Sequence, residues 1–257
     1  MAVITLTSDW GLKDPYLAEV KASILVRMPK VTLVDISHEI PPFQADQAAF
    51  IVRSTWHRFP KGTVHLIAVN TEETNDSEHC VLFYKGHFFI GNDNGIFSMI
   101  FDELPEKIHA LTIPQESNYF TFSARDRFVQ AAVHLAGGGP VEELGPPRQN
   151  INEKILLKPV TSEDLIKGHV IYIDRYENVI TNISEQLFTE IQQKRRFKIT
   201  FRSYSVDRIV QSYTEVPQGE ILALFGSHGL LEIAMNQGNA AGLLGLDYKD
   251  MIRIEFE

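Results

Sequence analysis

The sequence predicts an α/β protein: an N-terminal, mainly parallel sheet with flanking helices over residues 1–150, then a smaller C-terminal β-rich, barrel-like domain over residues 151–257. Three observations carry that expectation. Short apolar runs alternate with helical stripes in the first half, a connector at 142–152 contains the breaker Gly145-Pro146-Pro147, and beyond it the pattern becomes short strands without long helices. A length of 257 residues also exceeds the usual domain size of about 100–150, which suits two unequal domains.

Residues 2–7 are apolar and β-branched and run into the polar Ser8-Asp9-Trp10-Gly11, the pattern of a buried strand entering a loop. Asp14 followed by Pro15 supplies a helix N-cap and a preferred first helical residue, and Leu17, Val20, Ile24 and Leu25 form an apolar stripe that Pro29 ends. Residues 31–36 again read as strand, 44–56 as helix and 63–69, after Pro60-Lys61-Gly62, as a third strand. This alternation implies parallel pairing, and such sheets bind ligands beyond the carboxyl ends of their strands, so Asp9, Ser37-His38 and Asn70 are expected on one edge. Residues 79–84 and 87–90 flank Lys85-Gly86 as a hairpin, followed by the turn-dense Gly91-Asn92-Asp93-Asn94-Gly95, a short helix near 96–101, a strand at 107–111 and a helix at 125–135. In the second domain the strands fall near 168–174, 178–183, 197–201, 220–225, 230–235 and 252–256.

A formal charge of −9 argues against a nucleic-acid or anionic-membrane surface, because phosphate-rich partners demand clustered Lys and Arg. The basic run Lys194-Arg195-Arg196 closes the helical stretch 184–193, where cations suit a helix C-terminus. The single cysteine, Cys80, reads as a buried thiol in a strand, and no leader or apolar run of about 18 residues is present. A cytoplasmic protein is expected.

Asp9 and Asp14 flank one loop and can aim two carboxylates into a small space. They suit either a divalent cation or sugar hydroxyls with an ammonium group, and Asp14 alone also suits a plain helix cap. Asp174-Arg175-Tyr176-Glu177-Asn178 joins two strands and offers an acid, an aromatic face and a carboxamide. That loop can read a purine, or serve as an ordinary turn. Ser227-His228-Gly229 and Asn236-Gln237-Gly238-Asn239-Ala240-Ala241 are small-residue loops whose backbone can approach a ligand closely.

The combination is more specific than its parts. Thr7-Ser8-Asp9-Trp10-Gly11-Leu12-Lys13-Asp14-Pro15-Tyr16, Asp35-Ile36-Ser37-His38-Glu39-Ile40, Gly91-Asn92-Asp93-Asn94-Gly95, Thr121-Phe122-Ser123-Ala124-Arg125-Asp126, Ile173-Asp174-Arg175-Tyr176-Glu177-Asn178 and Leu231-Glu232-Ile233-Ala234 occur in one order. That series resembles the S-adenosyl-L-methionine (SAM) hydroxide adenosyltransferases, the SAM hydrolases, relatives of the fluorinating and chlorinating enzymes that act on the same substrate. The resemblance implies a homotrimer, each site lying between the N-terminal domain of one subunit and the C-terminal domain of its neighbour. It implies that Asp9 binds the ribose hydroxyls, that Asp14 and Asp174 bind the methionine ammonium, and that Phe43 and Phe122 wall the ribose and the reacting carbon. Asn178, with Tyr176 alongside, would read adenine, Ser227 would hold the methionine carboxylate, and Tyr213 is a further candidate for the adenine face. SAM is then the substrate, with no metal and no cofactor implied.

Family members that use water resemble one another in an Asp, an Arg seven residues later and a distant His. Here those positions fall on Asn70, at or near Ser77, and on Ser123, and Thr71-Glu72-Glu73-Thr74-Asn75-Asp76 replaces a glycine-rich loop. Asn70 cannot accept a proton as a carboxylate does, and Ser123 alone is a poor base. His79 and Glu72 or Glu73 lie close enough in sequence to substitute, although such residues ordinarily belong to strand or loop surface. Two functions are therefore expected: SAM hydrolysis to adenosine and methionine, or binding of SAM or adenosine without catalysis. A halide-using transferase or a metal-dependent phosphohydrolase would need a halide pocket or a metal-spaced ligand cluster, and neither is evident.

Overall fold

In the computed structural model, residues 2–75, 77–154 and 157–257 are described, so Asp76 at the end of the loop after Asn70 lies outside the described residues. The chain divides into two units, residues 1–156 and 157–257.

The first unit runs β1 (Val3–Ser8), α1 (Tyr16–Arg27), β2 (Thr32–Ser37), α2 (Ala45–Thr55), β3 (Val64–Ala68), β4 (His79–Tyr84), β5 (His87–Asn92), α3 (Ile96–Ile100), β6 (Lys107–Ala110) and α4 (Val129–Ala136). Its sheet has the order β2-β1-β3-β5-β4-β6. Pairing is parallel from β2 through β5, and β4 lies antiparallel to both β5 and β6, so the sheet is mixed. The reversal follows from the two-residue turn at Lys85 and Gly86, whose φ values of 48° and 89° match the left-handed pair a tight hairpin needs. β3 is buried on both faces: Val64, Leu66 and Ala68 join the core under α1 and α4, while Ile67 joins the core under α2 and α3. This double covering gives three layers.

Helix α1 departs from the expectation at both of its diagnostic positions. Pro15 occupies the N-cap, no side chain caps the helix, and Asp14 is exposed, because the helical backbone begins one residue later than a capping Asp14 would require. Leu17, Val20 and Ile24 are buried as the stripe predicts, but Leu25 is 42% exposed, being rotated about 100° from Ile24. The helix expected at 125–135 starts as a wider π-turn over Ala124–Phe128 before α4. Cys80 is fully buried, and burial pushes its thiol well up.

The second unit comprises β7 (Val160–Ser162), β8 (Leu165–Ile173), β9 (Val179–Ser184), α5 (Glu185–Gln192), β10 (Phe197–Phe201), β11 (Tyr204–Val206), β12 (Ile221–Phe225), β13 (Leu230–Met235), α6 (Ala240–Leu244) and β14 (Met251–Phe256). Its antiparallel sheet runs β11-β10-β14-β8-β9-β13-β12, with β7 paired to β8. The sheet curls nearly closed, and just past β11 the Val210 N–H donates to Ala223 O of β12 at 2.9 Å. Ile166, Val170, Ile199, Leu231, Ile233 and Ile254 fill its core. Ser184 caps α5 by accepting from Leu187 N at 3.1 Å. At the other end, Arg195 donates to Ile191 O at 2.6 Å, so the basic run does serve that helix terminus. No helix among the described residues is long and apolar enough to cross a membrane.

Candidate active site

Ser8 pairs with Ala68 of β3 and Thr7 with Ser37 of β2, so Asp9, His38 and Asn70 leave the sheet along one edge. Asp9 Oδ2 accepts the Phe43 N–H at 2.9 Å. Phe43 has φ 68° and is 73% exposed, a combination that is costly for a bulky residue and that the bond to Asp9 holds in place. The neighbouring loop is braced by Gly11 N donating to His38 O at 2.8 Å and by Ser8 Oγ 2.7 Å from His38 Nδ1. His38 Nε2 lies 3.2 Å from Asp35 Oδ1, and Lys21 Nζ lies 2.6 Å from Asp35 Oδ2. Burial opposes ionisation of Asp35, yet Lys21 and His38 outweigh it and hold the carboxyl below its usual value.

Phe122 packs edge-on against Trp10 and against Tyr16, each with centroids 5.5 Å apart, and the Arg125 guanidinium lies 5.2 Å over its ring. The aromatic wall and the loop carrying Asp9 therefore share one place. Ser123 follows Phe122, is buried, and makes no helix-capping bond. Asp14 sits two residues before Tyr16 and is exposed. Among the described residues, no three His, Cys, Asp or Glu side chains gather as a metal site requires.

Asn70 has φ 50° and an exposed side chain. Its carbonyl accepts from Asn92 Nδ2 at 3.0 Å and from Asn94 Nδ2 at 3.2 Å, while Asn92 Nδ2 also donates to Glu72 O at 2.8 Å. The turn-dense 91–95 motif is thus a brace for the loop after β3. Its middle residue, Asp93, is buried on Asn152 N at 3.0 Å and Arg148 Nη2 at 2.9 Å, and burial raises its carboxyl despite these partners.

His79 is not a surface residue: its side chain is fully buried, because it opens β4, which lies between β5 and β6. Its Nε2 lies 2.7 Å from Thr71 O, and its Nδ1 lies 3.4 Å from Glu73 Oε1. Glu73 Oε2 lies 2.5 Å from Arg127 Nη1. Burial lowers the His79 pKa, with Thr71 and Glu73 working against it. Arg127 carries no local signal of this role and reads as an ordinary helix residue 48 positions from His79.

In the second unit, Asp174 organises its own loop. Its Oδ1 accepts from Tyr176 N at 2.8 Å and Asn178 N at 2.9 Å, and its Oδ2 accepts from Asn178 Nδ2 at 3.1 Å. Asn178 is buried, with its carboxamide oxygen left to accept, whereas Tyr176 is 79% exposed. Glu177 O accepts from Ala241 N at 3.0 Å, which joins this loop to the small-residue segment at 236–241. Ser227 is exposed in a turn closed by Gly229 N donating to Gly226 O at 2.8 Å. Beyond it, Glu232 is buried, receives the Tyr213 hydroxyl at 2.7 Å and has His228 Nε2 3.7 Å away. Burial and then Glu232 push the Tyr213 phenol well up. The sequence pointed to Glu232 only as part of a motif, because a single acid in an apolar strand does not reveal its partners.

The chain matches the SAM hydroxide adenosyltransferase N-terminal domain over residues 4–145 and the C-terminal domain over residues 168–253. It is 32% identical to the (R)-S-adenosyl-L-methionine hydrolase of Thermus thermophilus, covering 96% of each chain. It is also 31% identical to the (R)-S-adenosyl-L-methionine hydrolase of Methanocaldococcus jannaschii, covering 98% of this chain and 95% of that one. A fluorinase of Nocardia brasiliensis is 26% identical over 93% of this chain and 92% of its own. Among solved structures, an uncharacterized conserved protein from Thermotoga maritima superposes with a TM-score of 0.90 at 29% identity, covering 98% of this chain and 99% of that one. Two domain matches in chain order and near full-length relatives lead to one conclusion: the chain belongs to the SAM hydroxide adenosyltransferase family.

Proposed function

We propose that the chain hydrolyses S-adenosyl-L-methionine at C5′ of its ribose, releasing adenosine and L-methionine. The observation that carries this reading is the near full-length match to relatives named (R)-S-adenosyl-L-methionine hydrolases. In this reading Asp9, already fixed on Phe43, takes the ribose hydroxyls, and Phe43 and Phe122 line the reacting carbon. Asp14 and Asp174 face the ammonium group, Asn178 and Tyr176 read adenine, and Ser227 takes the carboxylate. The sites form between subunits of a homotrimer in the cytoplasm, and no cofactor takes part. Sulfur leaves as neutral methionine, so the leaving group needs no acid, and positioning with exclusion of bulk water supplies most of the acceleration.

Incubation with labelled SAM tests the proposal: adenosine and methionine should form in equal amounts without added halide. Tight SAM binding without release would instead favour a binding protein, the reading that Asn70 and Ser123 support because neither carries a base.

A further inference from the structure

Water attacking C5′ must lose a proton, and a positioned base commonly raises the rate of such a step. Asn70 carries no base and Ser123 alone is a poor one, but a carboxylate stands close to the first in the chain and its ion-pair partner close to the second. Glu73 lies three residues beyond Asn70, and its partner Arg127 lies four residues beyond Ser123, about one helical turn along the segment that Ser123 opens.

The carboxylate is held from within. Arg127 Nη1 lies 2.5 Å from Oε2, and the His79 backbone N–H donates to Oε1 at 3.4 Å. The His79 side chain is 0% exposed and that of Arg127 20%, whereas Glu73 keeps 40%, so the anchors are more enclosed than the side chain that carries the carboxylate. The hydrogen bonds also assign the imidazole. Nε2–H donates to Thr71 O, which leaves the Nδ1 lone pair facing Arg127 Nη1 at 3.5 Å. The ring packs edge-on against Phe128 at 4.7 Å. A neutral, enclosed His79 cannot reach solvent water, and Arg127 cannot accept a proton, which leaves Glu73 as the base of the cluster.

Holding the loop does not require this side chain. Asn92 and Asn94 already bind the carbonyls of Asn70 and Glu72, and His79 binds that of Thr71.

We propose that Glu73 is the catalytic carboxylate of this chain, orienting the attacking water and accepting its proton, with Arg127 and His79 as the residues that position it. The assignment rests on the hydrolase reading. The water oxygen bonds to C5′ as the C5′–S bond breaks, and the bonding pair departs with sulfur, which becomes the thioether of methionine. The released proton passes to the Glu73 carboxylate and from there to solvent.

The test compares full-length wild type, Glu73→Gln and Glu73→Ala for adenosine release from SAM and for adenosine affinity by calorimetry. Glu73→Gln should lower kcat by about 100-fold or more while adenosine affinity stays within about threefold. Added formate should restore at least about tenfold of the activity lost in Glu73→Ala, which a merely structural role would not allow. A Glu73→Gln kcat within about threefold of wild type overturns the assignment and leaves the hydrolase reading intact. Absence of formate rescue in a folded, adenosine-binding Glu73→Ala protein overturns it equally. Wild type that binds adenosine but releases none from SAM ends both.

Discussion

His65 illustrates how burial alone sets the state of one residue. Thr5 Oγ1 lies 2.8 Å from its Nδ1, His87 Nδ1 lies 3.3 Å from its Nε2, and its ring stacks on Phe89 at 4.7 Å. Burial, then the neighbouring His87, lower its pKa from 6.5 to about 3. The unfolded chain therefore binds a proton on this ring at pH values where the folded chain does not. With the folded value depressed, the stabilisation is present above about pH 6.5 and is lost as pH falls toward about 3, by at most about 1.4 kcal/mol per unit. His87 shifts in the same direction, through burial first and then Lys61. Urea melts across this range should show wild type losing stability, with a shallower loss in His65→Gln. Equal slopes in the two proteins would remove His65 as a source. None of this was legible in the sequence, because the burial of His65 comes from the packing of β3 beside β5. Asp14 taught the reverse: Asp-Pro is a sound helix-start signal, yet the backbone turned helical at Tyr16 and left that carboxylate uncommitted to a cap.

At the scale of elements, the segment that presents Phe122 depends on one buried acid. Asp126 Oδ2 accepts from Gln115 Nε2 at 2.8 Å and from Ser117 Oγ, and its Oδ1 accepts from Arg125 Nε at 2.6 Å. Arg125 also reaches Glu19 of α1 at 3.0 Å and lies over the Phe122 ring. The Arg125 bond holds the Asp126 carboxyl below its usual value against the opposing effect of burial, with Ser117 and Gln115 adding to the lowering. Asp126→Asn should cost about 1–3 kcal/mol in chemical unfolding and raise KM for SAM, because the loop at 115–122 loses its anchor. Unchanged stability and KM would show that the loop is held elsewhere. Most strands and helices were legible, since apolar spacing and turn residues act locally, but the short β7, β11 and α6 were not read, being too brief to show a period. Nor was the π-turn at Ala124–Phe128, because an extra residue per turn leaves no local signal.

For the whole molecule, the proposed sites between subunits make a quantitative demand. Asp9→Ala and Asn178→Ala should each lose most SAM turnover alone. In trimers assembled from equal amounts of both, about a quarter of the sites should pair an intact Asp9 with an intact neighbouring Asn178 and recover activity, as a head-to-tail ring requires. No recovery in mixed assemblies would place both residues in one subunit's site. The sequence by itself determined the α/β class, the positions of the longer strands, and the motifs whose order resembles one family, because hydrophobic period, turn chemistry and motif order are all written along the chain. Only the tertiary structure decided that β5 rather than β4 pairs with β3, leaving β4 between β5 and β6, that His79 is interior, and that Arg127 meets Glu73 across 54 residues of sequence. Those outcomes depend on which strands become neighbours and which faces are covered, and that choice is made by packing of the whole sheet rather than by any local run of residues.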